Sequence, residues 1–589
     1  MRALLFTALF AFGGHPGLTE DAGTVRVGFT RLGSELGFGD FAITRTVWSD
    51  LNGDLWPDLI VHSAEGSPRG NAWVLWNDRR GSFERPQSEP FRNRDPAVKE
   101  GRLISFVSTA DVDNDGDQDL FTGTHYNWDQ PKGPDGTWED RCELLLNDGK
   151  GGFAFVEAER NPWLQEKAKT TSAVTWLDYN LDGSLDLFLA NWYCQYGKSL
   201  EAYQAELYRG DGRGGFVRAT EAAGLATIGT PGKDYLAARP AYGCGAWDYD
   251  GDGHIDIFVP AYGRQWNLVW RSRGDGTFEQ VADRIGLDGD EIRHGRYPQP
   301  GREAEAPFRS NGNTFEMDPA DFDADGDMDV FLAEIAHGWA GDSSDLSCIC
   351  ENLGAERNFV FRRRLDLLDR APPGPGGHWA DLFAAWIDAD NDGRMDLLTA
   401  GAHYPGVGLK LWRQNSAGRF VDAAKEFGVE MPAAHGLAVA DHDLDGDVDF
   451  TIVQLKQPGK IPETKDLPHH TLLLFRNDLA NGSHWIALDL EGDPAQGTNR
   501  DAVGALVWIK SGGVERQFQV TGGTGQGSPH GPRTVCAGLG SAEKVDSIRI
   551  VWPNPAHTRQ QINDLAVDRR YRIRQGQPPV PSHVQRSSQ

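Results

Sequence analysis

Seven short stretches of this chain carry carboxylates at a fixed spacing. One of them, DVDNDGDQDL from Asp111, places oxygen donors at its positions 1, 3, 5 and 9 and a backbone carbonyl near position 7. Like charges this dense repel one another unless a cation lies among them. Hard oxygen donors in this number suit calcium, whereas magnesium demands stricter octahedral geometry and zinc favours His or Cys. The spacing therefore predicts a calcium loop.

The pattern D-x-[DN]-x-D-G-x-x-D recurs along the chain, and we number its copies loops 1 to 7 in chain order. A single copy has the alternative of a solvated acidic turn, but seven copies argue against chance. An EF-hand is excluded because position 12 lacks the bidentate Glu and the flanks are strand-like. The sequence predicts up to seven Ca²⁺ ions, held by Asp50, Asn52, Asp54 and Asp58; Asp111, Asp113, Asp115 and Asp119; Asp178, Asn180, Asp182 and Asp186; Asp248, Asp250, Asp252 and Asp256; Asp321, Asp323, Asp325 and Asp329; Asp388, Asp390, Asp392 and Asp396; and Asp441, Asp443, Asp445 and Asp449. Loop 1 has Leu55 where the others have glycine, and we expect it to be the weakest site.

The elements that position these loops form a long repeat. Successive loops begin 53 to 73 residues apart, which suits a four-stranded blade with variable connections. An apolar run precedes and follows each loop, a third run comes next, and a fourth follows a glycine turn. Tryptophans just before the loops recur in step with the repeat and are predicted to be core between blades: Trp48, Trp176, Trp247 and Trp386. These patterns predict an all-β fold, with a seven-bladed β-propeller over residues 25–480.

The last repeat lacks its fourth strand, because the sequence after TLLLFRND departs from the pattern. The missing strand is found at the start of the propeller sequence. Residues 28–38, GFTRLGSELGF, match the fourth-strand pattern although no first, second or third strand precedes them. We expect this segment to complete blade seven and to remove the exposed edges of an open meander.

The periodicity changes at His484. Alternating strands separated by glycine-rich turns follow, without an acidic loop, and predict a separate small β domain over residues 484–576 with a disordered tail at 577–589. Six cysteines leave both disulfides and free buried thiols open.

The N-terminus suggests export. One Arg, an apolar run from Ala3 to Phe12 and small residues near Gly13 predict a signal peptide over about residues 1–14, the alternative being a disordered or buried terminus. No other segment approaches 18 apolar residues, so no transmembrane segment is expected. A secreted or periplasmic chain would meet millimolar calcium. The net charge of −28 lies largely in the loops, and a surface without a basic stripe argues against nucleic acid as a partner.

The acidic loops resemble the FG-GAP/VCBS-type repeats of integrin-like propellers. The C-terminal stretch NRDAVGALVWIKSGGVERQFQV, followed by GLGSAEKVDSIRIVWPN, is similar to the ASPIC/UnbV domain. Propeller plus this domain is the layout of the cartilage acidic protein family and its bacterial relatives. The resemblance covers nearly the whole chain and implies an extracytoplasmic calcium-binding propeller. Residues 521–534, TGGTGQGSPHGPRT, depart from the serine- and tyrosine-containing stretch typical of that domain.

A ligand face is predicted opposite the calcium loops, where long connections carry aromatic residues. These are Tyr126, Trp128, Trp192, Tyr193, Tyr262, Trp266, Trp339 and Tyr404, which suit sugar stacking or protein contacts, or alternatively pack the loops against each other. No H-E-x-x-H, G-x-S-x-G or phosphate-loop motif occurs. The sequence favours a recognition or adhesion module for an extracellular or periplasmic protein or glycan. The alternative is a propeller enzyme or lectin-like module acting on polysaccharide.

Overall fold

The computed structural model describes residues 28–33, 36, 43–63, 72–84, 88–99, 101–125, 140–166, 169–231, 233–305, 310–371, 378–467, 469–478, 481–525, 531 and 533–582. These residues are almost entirely β. The two α-helices are single turns, α1 (Pro162–Gln165) and α2 (Ala282–Ile285). Within these ranges, no helix has the length and apolar character needed to cross a membrane.

Before His484 the described strands form seven sheets, which we number with their acidic loops. In chain order the strands are β1 (Phe29–Leu32); β2 (Arg45–Ser49), β3 (Asp58–His62), β4 (Ala72–Asn77) and β5 (Phe83–Glu84); β6 (Phe106–Ala110), β7 (Asp119–Gly123), β8 (Glu143–Asn147) and β9 (Phe153–Phe155); β10 (Thr171–Leu177), β11 (Asp186–Asn191), β12 (Glu206–Gly210) and β13 (Phe216–Arg218); β14 (Gly245–Trp247), β15 (Asp256–Val259), β16 (Leu268–Ser272) and β17 (Phe278–Gln280); β18 (Thr314–Ala320), β19 (Asp329–Ala336), β20 (Cys348–Asn352), β21 (Phe361–Arg364) and β22 (Trp379–Ala380); β23 (Phe383–Ile387), β24 (Asp396–Ala400), β25 (Leu409–Gln414) and β26 (Phe420–Asp422); and β27 (Ala434–Ala440), β28 (Asp449–Gln454) and β29 (Thr471–Asn477).

Each sheet is an antiparallel meander in which the acidic loop joins the first strand to the second. The first strand of every sheet contacts the first strand of the next, and β27 of sheet 7 contacts β2 of sheet 1, so the contacts form a closed circuit. Sheet 7 takes its fourth strand from the start of the described chain, because β1 pairs with β29. This pairing confirms that the predicted segment 28–38 supplies the fourth strand, through its residues 29–32, whereas residues 34, 35, 37 and 38 lie outside the described residues.

The core lies between neighbouring sheets. Trp48, Trp176 and Trp247 are fully buried there, as the repeat predicts. The indole Nε1 of Trp176 donates to Ser108 Oγ of the preceding sheet at 2.8 Å, so the ring is anchored by a hydrogen bond as well as by packing. Trp386 differs, because it is half-buried and donates to the carbonyl of Asp318 at 3.0 Å.

A second β unit follows, with two sheets packed on one apolar core. Its strands are β30 (His484–Glu491), β31 (Leu506–Ser511), β32 (Val514–Gln519), β33 (Val535–Gly540), β34 (Lys544–Val551), β35 (Arg559–Ala566), β36 (Arg569–Arg574) and β37 (Val580–Pro581). The predicted disordered tail begins too early. Val580 and Pro581 form β37 and pair with β36, which extends the ordered unit beyond residue 576. Strand β37 escapes the periodicity because it is two residues long.

All six cysteines lie in the described part of the chain, and no disulfide joins any of them. Cys348 and Cys350 lie two residues apart on β20, with their sulfur atoms 3.8 Å apart. Both side chains are fully buried.

Candidate metal loops and aromatic face

The acidic loops share one backbone conformation. Positions 4 and 6 of every loop have positive φ, as at Asn114 (60°) and Gly116 (105°) in loop 2. Glycine adopts this region without strain, which explains its recurrence at position 6. In loop 1 Leu55 takes φ of 73° at this position, with its side chain 40% exposed. A residue with a Cβ is strained in this conformation, so loop 1 departs from the pattern at a physical cost.

The aspartate at position 1 closes each loop on itself. In loop 2 the carboxylate of Asp111 accepts from the amide of Asp115 at 3.0 Å and from that of Gly116 at 2.8 Å. The same pair of bonds recurs at Asp178 in loop 3 and at Asp388 in loop 6. Position 1 is therefore fixed by the backbone before any ion binds.

The aspartate at position 9 joins the loop to the sheet. Asp119 accepts from the amide of Val112 in its own loop and from that of Asn147 at the end of the third strand, each at 2.9 Å. Every sheet repeats this pair of bonds, through Asp58, Asp186, Asp256, Asp329, Asp396 and Asp449. Each carboxylate oxygen keeps a second lone pair, so position 9 also remains able to bind a metal ion.

Burial raises the pKa of these carboxyl groups. In loop 2 the pKa of Asp111 rises to about 8 and that of Asp119 to about 9, chiefly because burial removes water and also because neighbouring aspartates repel. The same cause raises the pKa of Asp58 and of Asp396 to about 8. A desolvated carboxylate resists ionisation unless a cation compensates its charge.

The oxygen atoms left over fit a hard cation. At position 3 of loops 2, 4 and 6, the Oδ1 atoms of Asp113, Asp250 and Asp390 are buried without a hydrogen-bond partner. Buried polar atoms in proteins are almost always paired, so these orphan acceptors point to a ligand. At least five of the loops also gather three donor atoms within 4.8 Å of one another. The oxygen-rich donor set matches calcium better than softer metals.

The loops differ in how their charge is already balanced. Arg79 lies 2.9 Å from Asp54 in loop 1, Arg271 lies 2.5 Å from Asp250 in loop 4, and Arg413 contacts Asp390 in loop 6. A guanidinium that neutralises a ligand competes with an incoming ion. Within the described part of the chain, no Lys or Arg forms an ion pair with the four predicted ligands of loop 2 or of loop 5.

Loop 7 contains a donor that the sequence pattern does not predict. His442, at position 2, is fully buried, and its Nδ1 lies 2.5 Å from Asp449 Oδ2. It forms a three-donor group with Asp443 and Asp449. Position 2 is occupied by apolar or aromatic residues elsewhere, so a histidine there was the available signal.

Amide side chains at the ends of five third strands link one loop to the neighbouring loop. Asn147, at the end of the third strand of sheet 2, donates to the carbonyls of Gln118 in its own loop and Leu51 in loop 1, both at 2.9 Å. Asn77 connects sheet 1 to loop 7 in the same way, through His442. Further links run from Asn352, Gln414 and Asn477. The recurring Asn after an apolar third strand was the sequence signal for these links.

The C-terminal unit is seated on the loop face. The amide of Asp111 donates to Asp501 at 2.9 Å, and the amide of Asp248 donates to Gln519 at 3.0 Å. The amide of Gln517 donates to Asp321 Oδ2 at 2.9 Å. Loops 6 and 7 are also covered, since Gly540 donates to the carbonyl of Asn391 and the ring of Trp485 packs on Gly446. Docking thus engages the residues that are candidate ligands.

The opposite face carries the predicted aromatic residues on connections between second and third strands. Trp192 and Tyr193 are buried, whereas Tyr262, Trp266, Trp339 and Tyr404 are half-buried. Tyr126 and Trp128 lie outside the described residues. The structure adds Tyr196, which is 42% exposed and lies with its hydroxyl 3.3 Å from that of Tyr262.

Two groups of rings form on this face. In the first, Trp192 contacts Tyr196, Tyr242 and Tyr262, with ring centroids 5.6, 4.0 and 4.8 Å away. In the second, Trp339 stacks on Tyr297. A hydrogen bond of 2.8 Å joins His337 Nδ1 to the hydroxyl of Tyr404, with the donor set by the histidine tautomer. Packing between loops therefore accounts for part of the aromatic content, as the alternative interpretation proposed.

Family models match both parts of the chain. Residues 50–122, 248–332 and 388–452 match the FG-GAP-like repeat, and residues 495–580 match the ASPIC and UnbV domain. The chain is an FG-GAP-like repeat protein with a C-terminal ASPIC and UnbV domain. The resemblance stated from the sequence is confirmed. No curated protein matches this FG-GAP-like repeat protein.

Several solved structures share features of the fold at low similarity. An Agrocybe aegerita lectin that recognises non-reducing terminal N-acetylglucosamine is 16% identical, with 74% of this chain and 94% of that chain covered and a TM-score of 0.38. The exotype rhamnogalacturonan lyase YesX is 12% identical, with coverages of 74% and 72% and a TM-score of 0.38. A GH74 xyloglucanase from Xanthomonas campestris is 12% identical, with coverages of 78% and 57% and a TM-score of 0.37. Likenesses at this level carry no argument about function.

Proposed function

We propose that this FG-GAP-like repeat protein is a calcium-stiffened recognition module that acts outside the cytoplasm. In this proposal the seven sheets are the blades of one closed propeller, and each acidic loop holds Ca²⁺ through its aspartates and, in loops 1 and 3, an asparagine. Calcium supplies the positive charge that the buried carboxylates lack. The chain's own contribution is to hold positions 1 and 9 in place through backbone amides.

The location follows from the same chemistry. Loops in which an arginine already contacts a ligand are expected to bind calcium weakly, and weak sites fill only where calcium is at millimolar concentration. The apolar run from Ala3 to Phe12 supports export, although it lies outside the described residues.

Recognition is assigned to the face opposite the loops. The observation that carries this assignment is the ring group around Tyr196, because it combines an exposed ring and two adjacent hydroxyl groups with a buried aromatic base. Rings that expose one face stack on the C–H face of a sugar, and their hydroxyls orient its polar groups. A glycan is therefore the first ligand to test, with a protein as the second.

The test is binding of the full chain to glycan and protein arrays in calcium, with product analysis for turnover. The double variant Tyr196→Ala/Tyr262→Ala is expected to weaken binding at least about tenfold, corresponding to about 1.4 kcal/mol or more. Trp508→Ala on the C-terminal domain serves as the matched aromatic control. A ligand bound equally well by the double variant would place recognition elsewhere, and turnover would favour the enzyme alternative.

A further inference from the structure

The inner strand of sheet 5 carries two carboxylates that belong to no acidic loop. Glu316 and Asp318 lie two residues apart on β18, so their side chains leave the same face of the strand. The pairing register with β19 shifts between Thr314 and Glu316, which marks a bulge directly before the pair. Bulges often re-aim a side chain at a functional position.

The other sheets have no acid at these positions. Five residues before the loop they carry Arg45, Phe106, Ala173, Gly243, Phe383 and Gly436, and three residues before it Val47, Ser108, Thr175, Gly245, Ala385 and Ala438. The acidic pair is thus an addition to the repeat and is not required by it.

Hydrogen bonds within the protein involve three of the four carboxylate oxygen atoms of Glu316 and Asp318. Glu316 Oε2 accepts from the amide of Ala384 at 2.7 Å, and Asp318 Oδ2 accepts from that of Trp386 at 3.3 Å, which ties sheet 5 to sheet 6. Asp318 Oδ1 accepts from the hydroxyl of Thr524 at 3.2 Å. Glu316 Oε1 is buried without a hydrogen-bond partner, in a side chain only 1% exposed.

Both carboxylates line a partly open cavity of about 290 Å³ between sheets 5 to 7 and the ASPIC and UnbV domain. Gly525 makes room for Glu316 on one side, because a Cβ there would lie 1.8 Å from Oε1. The cavity has space for an ion with water ligands or for a small organic cation. Its polar lining also makes a dry, empty state costly.

The described arginines that line the cavity are paired with carboxylates other than Glu316 and Asp318. Arg570 pairs with Asp489 at 2.6 Å, and Arg533 pairs with Asp501 at 3.0 Å. Arg45 acts on Glu316 at longer range and is the weakest influence on it. Burial, followed by the charge of Asp318, raises the pKa of Glu316 well above its usual value. Among the described residues, one positive charge at long range leaves two carboxylates under-compensated.

We propose that Glu316 and Asp318 bind a cation in this cavity, at a site distinct from the seven loops. Its chemical class is a hard, oxygen-seeking cation, which is either a divalent metal ion or a compact primary ammonium. Glu316 Oε1 is the principal ligand atom, and Asp318 with the Thr524 hydroxyl completes the polar side.

The test is a crystal structure of the full chain after exchange of calcium for Mn²⁺, with anomalous difference maps. The acidic loops are the internal control for exchange. A peak beside Glu316 supports a metal ion. Density there without anomalous signal, together with a matching added mass in native mass spectrometry, supports an organic ammonium. Filled loops with only water or nothing at Glu316 would overturn the proposal.

Metal analysis in solution supplies an independent measurement. If the ligand is a metal ion, the double variant Glu316→Gln/Asp318→Asn is expected to retain one equivalent of metal less than the unmodified chain after calcium saturation. If the ligand is an ammonium compound, the double variant is expected to lack the added mass that native mass spectrometry finds on the unmodified chain. The matched control, Asp283→Asn, changes an exposed carboxylate and should change neither. The proposal would be contradicted if the unmodified chain, the double variant and the control all had the same metal content and the same added ligand mass. If the double variant does not fold, the anomalous map of the unmodified chain decides.

Discussion

Calcium binding to the metal-free chain is expected to release protons. In loop 2, burial raises the pKa of Asp111 to about 8 and that of Asp119 to about 9. At pH 7 a group with a pKa of about 8 is roughly nine-tenths protonated, and one of about 9 is almost fully protonated. An ion that binds both carboxylates must displace these protons. Loop 2 is therefore expected to release about two protons per ion at pH 7 and close to none at pH 10.

The same shifts fix the direction of the stability change. A carboxyl group whose folded pKa is raised holds its proton more tightly in the folded state than in the unfolded state. Its contribution is present below the unfolded pKa, near 4, and is lost as the pH rises through the folded value, near 8 to 9. The metal-free chain should thus lose stability across this window. Calcium, by replacing the protons, should stabilise the chain more at pH 8 than at pH 5.

The assay is titration calorimetry of the metal-stripped chain in buffers of different ionisation enthalpy, which counts released protons. The variant Asp111→Asn/Asp119→Asn should lose one bound ion and about two protons at pH 7. Asp283→Asn is the control and should lose neither. Ions that bind at pH 7 without any proton release would refute the reasoning, because the carboxylates would then be ionised in the empty loops.

Four further predictions concern the loops and the ring. Leu55→Gly should relieve the strain at φ of 73° and tighten loop 1 by up to about 1 kcal/mol; weaker calcium binding at loop 1 by titration would contradict this. Asn147→Ala removes the two hydrogen bonds that the side-chain amide donates to Leu51 and Gln118, together with two local turn bonds to its Oδ1, and should lower unfolding stability by about 2 kcal/mol. The control is Asn415→Ala, which removes only two local turn bonds; a melting temperature lowered no further than in the control would count against the inter-sheet links. Gly446→Ala places a Cβ 1.9 Å from the Trp485 ring, so proteolysis between the propeller and the ASPIC and UnbV domain should accelerate; equal rates would argue that this contact does not hold the domain. Deletion of residues 28–32 exposes β29 and should cause aggregation measurable by light scattering; a monomeric, equally stable product would oppose the closure of sheet 7.

Much of the fold follows from local chemistry that the sequence displays. Position 9 aspartates recur because each must accept from two backbone amides, and position 6 glycines recur because that residue has positive φ. The strand from Gly28 was predictable because it copies a fourth-strand pattern that the last repeat lacks. Requirements of this kind act within one repeat, so the same residue types recur at the same positions of successive repeats.

Contacts between segments that are distant in the chain produce no such recurrence, so the sequence pattern does not predict them. The candidate cation site at Glu316 and Asp318 depends on Thr524 and on a cavity lined by the C-terminal domain. Thr524 lies more than 200 residues further along the chain than this pair. The burial of Trp192 depends on Tyr242 and Tyr262 in the next connections. His442 was visible as a residue, but its contact with Asp449 required the fold of loop 7.

The C-terminal domain covers the face of the sheets that carries the acidic loops. The domain bonds to the amides of Asp111 and Asp248 and to the carboxylate of Asp321, which are position 1 residues of three loops. An empty loop, with repelling carboxylates, would shift these same groups, so calcium occupancy and domain docking are expected to stabilise each other. A large ligand cannot occupy a surface that the domain already covers. The proposed ligand face around Tyr196 lies on the opposite side of the sheets, where the described part of the domain makes no contact with it, so docking of the domain is compatible with the proposed binding.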